Sequence, residues 1–478
     1  MTESVSTPPP PQSRLEQLGY SQQLVRRLNI PEVVGLAMAD VSPTMAVLFL
    51  SAGVFVIGGT FSIGAGLILS VVVVLISLCL AELAGMFPIA GGMYSLVRRV
   101  LPGPFSWITM FNYLIQGIVI PASIALGMVG FLRDLFPGLG FPDTVIAIVL
   151  LALATGIALT KVEVGAWATG AMVIVECVVL GIVTVAALAH PHQNLAEVTF
   201  HPTVLNNGEL VAVGFAVMLA TLAPAFNVIN GYDAALGFSE ELKGGERKIA
   251  KAVIISAVLA CVLIMVPLIA AVVAAPDLKA FFSDPAPVVY SVQASLGDKA
   301  RVIVDVGVSI ALFNAMLSLL MYFGRGVYTT GRDRMWPESV NRIIGSINKF
   351  RVPGVGIMCL AVPAGVLVFT SALNFLIIFA GTVIAAVYFC IGMAALWSRR
   401  SMPREPRPYK MPLWPLPPLV VIGFTGIALA TQETQYLLAE VVLICVALAA
   451  WAGTKKWSAP KAEAATATPE MAKATDPE

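Results

Sequence analysis

Charge is what this chain has least of. Only 12% of its 478 residues are Asp, Glu, Lys or Arg, and 58% are hydrophobic. A soluble domain carries about 25% charged residues, so there is too little polar surface here to cover a globule in water. The net charge of +1 excludes a generally basic nucleic-acid binder, and no nucleic-acid partner is expected. Histidine is nearly missing. His190, His192 and His201 sit in one loop at a spacing that suits neither a zinc peptidase nor a structural zinc site. The six cysteines (Cys79, Cys177, Cys261, Cys359, Cys390 and Cys445) all lie in apolar runs without metal-ligand spacing, and read as small apolar residues. No phosphate-cradling glycine loop or nucleophile constellation is visible. The expectation is therefore no metal site, no cofactor and no enzyme.

What the chain does have is hydrophobic length. Mean hydropathy is +0.88, and apolar runs near the ~20 residues needed to span a bilayer recur throughout. They read as about twelve helices: Val33–Val56, Gly64–Phe87, Phe105–Leu132, Thr144–Leu159, Gly165–Ala189, Leu210–Phe238, Ile249–Ala275, Ile303–Phe323, Gly356–Thr370, Phe375–Trp397, Leu416–Ala430 and Tyr436–Trp451. Residues 1–28 are polar and Pro-rich, without the apolar core of a signal peptide, and 458–478 are rich in Ala, Pro, Thr, Lys and Glu. Both read as disordered cytosolic ends. With the N-terminus inside, the outer loops hold only Arg133, Lys279, Lys299 and Arg301, and the remaining loop cations fall inside. Both termini are therefore expected inside, in a multi-pass protein of the plasma (inner) membrane.

Two of these runs carry breaks. Helix one contains Asp40-Val41-Ser42-Pro43-Thr44-Met45. Ser before Pro is a helix start signal inside a span; it predicts a break at 40–42 and a restart that frees the amides of Thr44, Met45 and Ala46. Such an end attracts negative charge. A Pro kink, with Ser bonding its own backbone, is the plainer reading. Helix six contains Pro224-Ala225-Phe226-Asn227-Val228-Ile229-Asn230-Gly231-Tyr232-Asp233, poor helix chemistry at a depth where broken backbone is tolerated only beside a cavity. Paired interruptions in helices one and six point to the binding site of an inverted-repeat transporter, although no self-similarity between the halves is evident.

Several segments carry a family resemblance. Ala81-Glu82-Leu83-Ala84-Gly85-Met86-Phe87-Pro88-Ile89-Ala90-Gly91-Gly92-Met93-Tyr94, then Arg98 and Arg99, resembles the motif after the second helix of amino acid–polyamine–organocation permeases. Gly231-Tyr232-Asp233 stands where that family has Gly, an aromatic and Glu. Ser239-Glu240-Glu241-Leu242-Lys243 is similar to its acidic pair, with Gly244-Gly245-Glu246 in place of Asn-Pro. Arg332-Asp333-Arg334-Met335-Trp336-Pro337 and Arg407-Pro408-Tyr409-Lys410-Met411-Pro412 resemble its loops after helix eight and before helix eleven. The resemblance covers roughly Val33 to Ala430. It implies an all-α integral membrane protein with a leucine-transporter-like 5+5 inverted repeat plus two helices, with 29–189 and 190–397 as the two repeats and 398–457 as helices eleven and twelve. Substrate would lie between the unwound parts of helices one and six. The departure is in helix one, where Asp40-Val41-Ser42-Pro43 replaces the family's Gly-rich break.

The candidate substrate-binding residues are Asp40, Ser42, Thr44, Met45, Phe226, Asn227, Asn230, Gly231 and Tyr232. Asp40 has two readings: it pairs with a substrate ammonium, as an acidic residue does in monoamine transporters of the same fold, or it caps the half-helix at Thr44. Phe226 and Tyr232 read either as an aromatic lid over a cation or as packing. Glu176, mid-span, stands by resemblance where many members have a helix-five Lys. It reads as a proton-coupling residue, as a sodium ligand or as a structural carboxylate. Asp233 is a second coupling candidate, and Glu82 a gating or helix-tethering one. Asn112, Gln116 and Asn314 either line the site or join helices. The basic inner loops, Arg325 to Arg351 above all, read as topology signals that attract anionic lipid. The expected activity is secondary active transport of a small organic amine or amino acid, such as an amine, a polyamine or γ-aminobutyrate, by alternating access. A proton is the expected coupling ion and sodium the alternative. An α-amino acid exchanger using Thr44 and Met45 is the runner-up, and a membrane nutrient sensor that binds without carrying is the reading from another class.

Overall fold

The structure is a computed structural model that describes residues 26, 28–89, 91–160, 162–244 and 246–455. The expected disordered ends lie outside the described residues, save Arg26 and Leu28. The chain is mostly helical. Among the described residues, nine helices are long and apolar enough to cross a membrane, and three more are apolar but shorter. In chain order they are α1 (Ile30–Gly58, with an internal break), α2 (Phe61–Met86), α3 (Gly103–Leu135), α4 (Asp143–Ala158), α5 (Val162–Ala189), α6 (Phe215–Phe238, also broken), α7 (Glu246–Val273), α8 (Asp298–Arg332), α9 (Gly354–Thr370), α10 (Leu373–Ser401), α11 (Leu416–Ala430) and α12 (Thr434–Lys455).

Two helices depart most from the sequence expectation. The sixth helix starts at Phe215, not Leu210, because Thr203–Asn206 and Glu209–Ala212 form a two-stranded antiparallel hairpin. Its turn is Asn207-Gly208, both at positive φ, a dipeptide suited to tight hairpins. The all-α expectation is corrected by this one small hairpin. Helix eight runs from Asp298 to Arg332, well beyond the expected 303–323, since polar residues at both its ends extend the helix past the apolar stretch.

The helices pack around α1, α6, α8, α3 and α10, and one continuous apolar core joins them. Large aliphatic side chains on the periphery face outwards, among them Ile174, Val185, Val262, Val366, Leu438 and Val442. A water-facing protein does not tolerate so much contiguous apolar surface; hydrocarbon does.

Local chemistry sets the stops. Pro88 keeps Phe87 out of the helical region, at φ −130 and ψ 78, and ends α2. The chain re-enters as a short helix, Gly92–Val100, with Arg98 and Arg99 in its last turn. Gly92 has φ 68, and a β-carbon there would lie 2.3 Å from the Tyr113 hydroxyl, so no other residue fits that turn.

Candidate functional site: facing breaks in α1 and α6

Ser42 sits at φ 41, ψ 76 and interrupts α1. Pro43, with no N–H to give, opens the next turn, and the ladder resumes when Ala46 N–H donates to Ser42 O at 3.0 Å. A π-helical turn, Ala46–Leu50, follows. In α6 the helix ends at Val228, Gly231 takes φ 93, and Tyr232–Phe238 continue as a tight 3-10 helix. The two breaks touch. A β-carbon on Gly231 would lie 2.9 Å from Val41 N and 3.0 Å from Asp40 C.

Ser42 does not cap the restart. Its hydroxyl donates to Glu176 Oε2 on α5 at 2.7 Å, and Asn314 Nδ2 on α8 donates to Glu176 Oε1 at 2.7 Å. Thr44 adds a bond from its hydroxyl to Glu176 O at 3.0 Å. A buried carboxylate with two donors outbids a weak local cap, because a charged group left bare in the interior is far costlier than an open helix end. Glu176 thus bridges the break of α1 to α8. The Asn314 carbonyl oxygen beside it has no hydrogen-bond partner among the described residues.

Asp40 does not cap Thr44 either. Its carboxylate accepts from Ser318 Oγ at 3.5 Å. One turn further along α8, Tyr322 donates to Asp233 Oδ2 at 3.2 Å. One face of α8 therefore holds the carboxylates of both breaks. Asp40 and Asp233 are both buried, and neither is paired with a Lys or Arg among the described residues. Around them stand four tyrosines. Tyr113 meets Tyr322 edge to face at 6.2 Å, and Tyr232 stacks on Tyr388 at 6.1 Å.

The other candidates fall in place as follows. Tyr388 donates to Asn230 Oδ1 at 2.9 Å. Asn227 reaches α10, donating to Ile377 O at 3.0 Å, a bond between helices. Phe226 packs against Tyr388 and Phe424, and Met45 is buried in the core. A small cavity beside the α6 break is lined by Val54, Phe55, Ala225, Val228, Ile229 and Met265 among others. Asn112 and Gln116 donate to carbonyls of their own helix, Ile108 O and Asn112 O. His190 and His192 bond backbone carbonyls of Ala186 and Ala274.

The basic end of the bundle is laced by ion pairs that explain the sequence motifs. Glu82, fully buried, accepts from Arg399 Nε at 2.9 Å and Nη2 at 2.7 Å, from Arg407 Nη1 at 2.8 Å and from Met411 N at 2.7 Å. It tethers α2 to α10 and to the segment before α11. Arg98 bridges Asp333 at 2.8 Å, and Tyr94 bonds Thr329 and Asp333. Arg332 and Arg325 of α8 face Glu240 and Glu241 after α6, at 3.6 and 3.8 Å. Leu28 pairs with the Glu241–Lys243 backbone, tying the entry of α1 to the exit of α6.

Sequence reasoning missed Ser318, Tyr322, Tyr388 and Glu440. The first three are ordinary helix residues whose role comes from which face they present. Glu440 did carry a signal, a carboxylate inside the apolar run of α12. It is buried beside the Asn112 amide, and neither of its oxygens has a well-aligned partner among the described residues.

Comparison with known proteins agrees with this geometry. The amino acid permease family matches residues 28–449. A branched-chain amino acid permease of Lactococcus lactis is 24% identical over 430 residues, covering 85% of this chain and 88% of its own. The branched-chain amino acid permease of Bacillus subtilis is 23% identical, over 78% and 82%, and a cationic amino acid transporter of Arabidopsis thaliana is 23% identical, over 78% and 63%. The protein is thus a multi-pass membrane transporter and not an enzyme, and it belongs to the amino acid permease family.

Proposed function

We propose that this permease is a secondary active transporter working by alternating access, with its cargo held between the breaks of α1 and α6. Its cargo is a small organic amine or amino acid whose ammonium group pairs with Asp40. The observation that carries this reading is two buried carboxylates, Asp40 and Asp233, at the junction of the breaks without a cationic partner among the described residues. An uncompensated charge at membrane depth is expensive, and a substrate ammonium relieves it while the tyrosines shield the pair from water. The distribution of Lys and Arg supports twelve spans with both ends inside the plasma membrane. The proposed repeats are 29–189 and 190–397, with α11 and α12 added.

Glu176 is the proposed proton site. As a carboxylate it accepts from both Ser42 and Asn314; once protonated, it has a donor to place, and the unpartnered Asn314 carbonyl oxygen is within the same cluster. Loading a proton therefore rearranges the bond that fixes the α1 break, which links ion binding to the substrate site. Sodium is the alternative ion, held by the same oxygens.

A second reading has its own support. Two relatives are branched-chain amino acid permeases. In an α-amino acid exchanger the free amides of Thr44 and Met45 would take the carboxylate. Uptake of labelled amines and amino acids into proteoliposomes separates the two. Loss of amine uptake in Asp40→Asn supports ammonium pairing; wild-type amine uptake by that variant overturns it.

A further inference from the structure

On one flank of the bundle α3, α8, α9, α10 and α12 enclose a groove of about 670 Å³. This is far more room than one water occupies, ~30 Å³, and polar lining is almost absent. Phe111, Ile115, Leu360, Phe379, Leu438 and Val442 form its walls, and the exposure of Leu438 and Val442 (60% and 61%) shows that it opens sideways. A trench of this kind has nothing to offer water and must be filled by something apolar.

One end is different. Trp336 and Ile344 line it, and the Trp336 indole donates to Thr330 Oγ1 at 2.8 Å while its ring meets Trp107 edge to face. Paired tryptophans with a bonded N–H are the signature of headgroup depth. Arg334 stands two residues before Trp336 and Arg342 two before Ile344; Lys349 and Arg351 follow in the same segment. All four are exposed, and none makes an ion pair among the described residues. The acids of the segment are few: Asp333 is engaged by Arg98, which leaves Glu338. Ile343, Ile347 and Phe350 are exposed between these cations, so the segment is apolar and basic at once, as a surface lying in the interface must be.

We propose that this groove binds one anionic phospholipid, its acyl chain along the trench and its phosphate held by Arg334 and Arg342 at the mouth. The trench alone would accept any chain; the unpaired cations at its end select for negative headgroups. None of the residues lining the groove belongs to the α1 or α6 break, and the site stands whichever substrate is carried.

The test is native mass spectrometry of the full chain offered phosphatidylglycerol and phosphatidylcholine in competition. One phosphatidylglycerol is retained preferentially, and Arg334→Gln and Arg342→Gln each weaken it by about fivefold, the worth of one cation at an anionic surface. Ala439→Trp and Cys359→Trp, which fill the trench, lose the bound lipid while melting like the wild type. Equal retention of the two lipids overturns the proposal, as does wild-type retention by the arginine variants. If both trench-filling variants melt early, the two arginine variants alone decide. A wild-type dimer that the trench-filling variants dissociate overturns it in favour of an interface between copies of the chain.

Discussion

Ser42 donates a hydrogen bond from its hydroxyl to Glu176 at 2.7 Å, so the residue that breaks α1 is also the residue through which α5 holds that break. The α1 break and the candidate coupling carboxylate are therefore one hydrogen-bonded unit, with Asn314 of α8 as its third member.

Glu176→Gln retains a side chain that bonds Ser42 and Asn314 but removes the titrating group. Uptake by this variant is expected to lose its response to an imposed pH gradient, with substrate binding largely kept. Proteoliposome uptake with and without the gradient checks this; a wild-type gradient response would sink the proton role.

Gly231→Ala places a β-carbon about 3 Å from the backbone at Asp40 and Val41 on a residue at φ 93. Backbone cannot move aside as a flexible side chain does, and the strained φ adds a cost of order 1–3 kcal/mol. Transport is expected to fall by more than tenfold, since the facing breaks must separate, together with a lowered melting temperature. Uptake and thermal unfolding measure the two effects, and unimpaired transport would refute the close contact.

Glu82→Ala strands Arg399 and Arg407 beside an apolar interior. Removing one member of a buried ion cluster costs about 3–5 kcal/mol, so severe loss of stability is expected. The double variant Glu82→Leu, Arg407→Leu is expected to recover part of it, since an apolar pair leaves one fewer unpaired charge. Thermal melts of the single and double variants in detergent give the comparison.

Glu440→Gln acts in the opposite direction. Among the described residues both Glu440 oxygens and the Asn112 Oδ1 oxygen lack well-aligned partners, Asn112 is the side chain beside the carboxylate, and a glutamine amide offers that side chain a donor as well as an acceptor. One recovered hydrogen bond is worth about 1 kcal/mol. The variant is expected to melt at or above the wild-type temperature, and a large fall would show that Glu440 has a partner of its own.

The legible features were those governed by nearest neighbours. Pro43 after Ser42 and Gly231 in a run of Asn and Asp disrupt helices by their own backbone limits, so both breaks stand where the residues put them. The long apolar runs reveal their helices because each must bury its own hydrogen bonds in hydrocarbon. The hairpin was legible in principle: Asn207-Gly208 is a turn signal, but the apolar residues Leu210 to Ala212 join smoothly to the run that follows and read as helix.

Partnership was another matter. Glu176 and Ser42 are 134 positions apart in the chain, and Glu82 and Arg407 are 325 apart. A carboxylate in a span announces that it needs a partner, not which helix supplies it. Ser42 shows the limit most clearly. By sequence it is a helix cap; in the structure the cap is forgone because a buried charge from another helix competes for the same hydroxyl and gains more from it. The sequence by itself determined where the backbone must break and that the chain lives in a bilayer, because those follow from local sterics and solvation. Which polar groups meet across the breaks was decided by packing alone, since burial makes every unpaired donor and acceptor costly and only the folded bundle determines which ones are brought within reach.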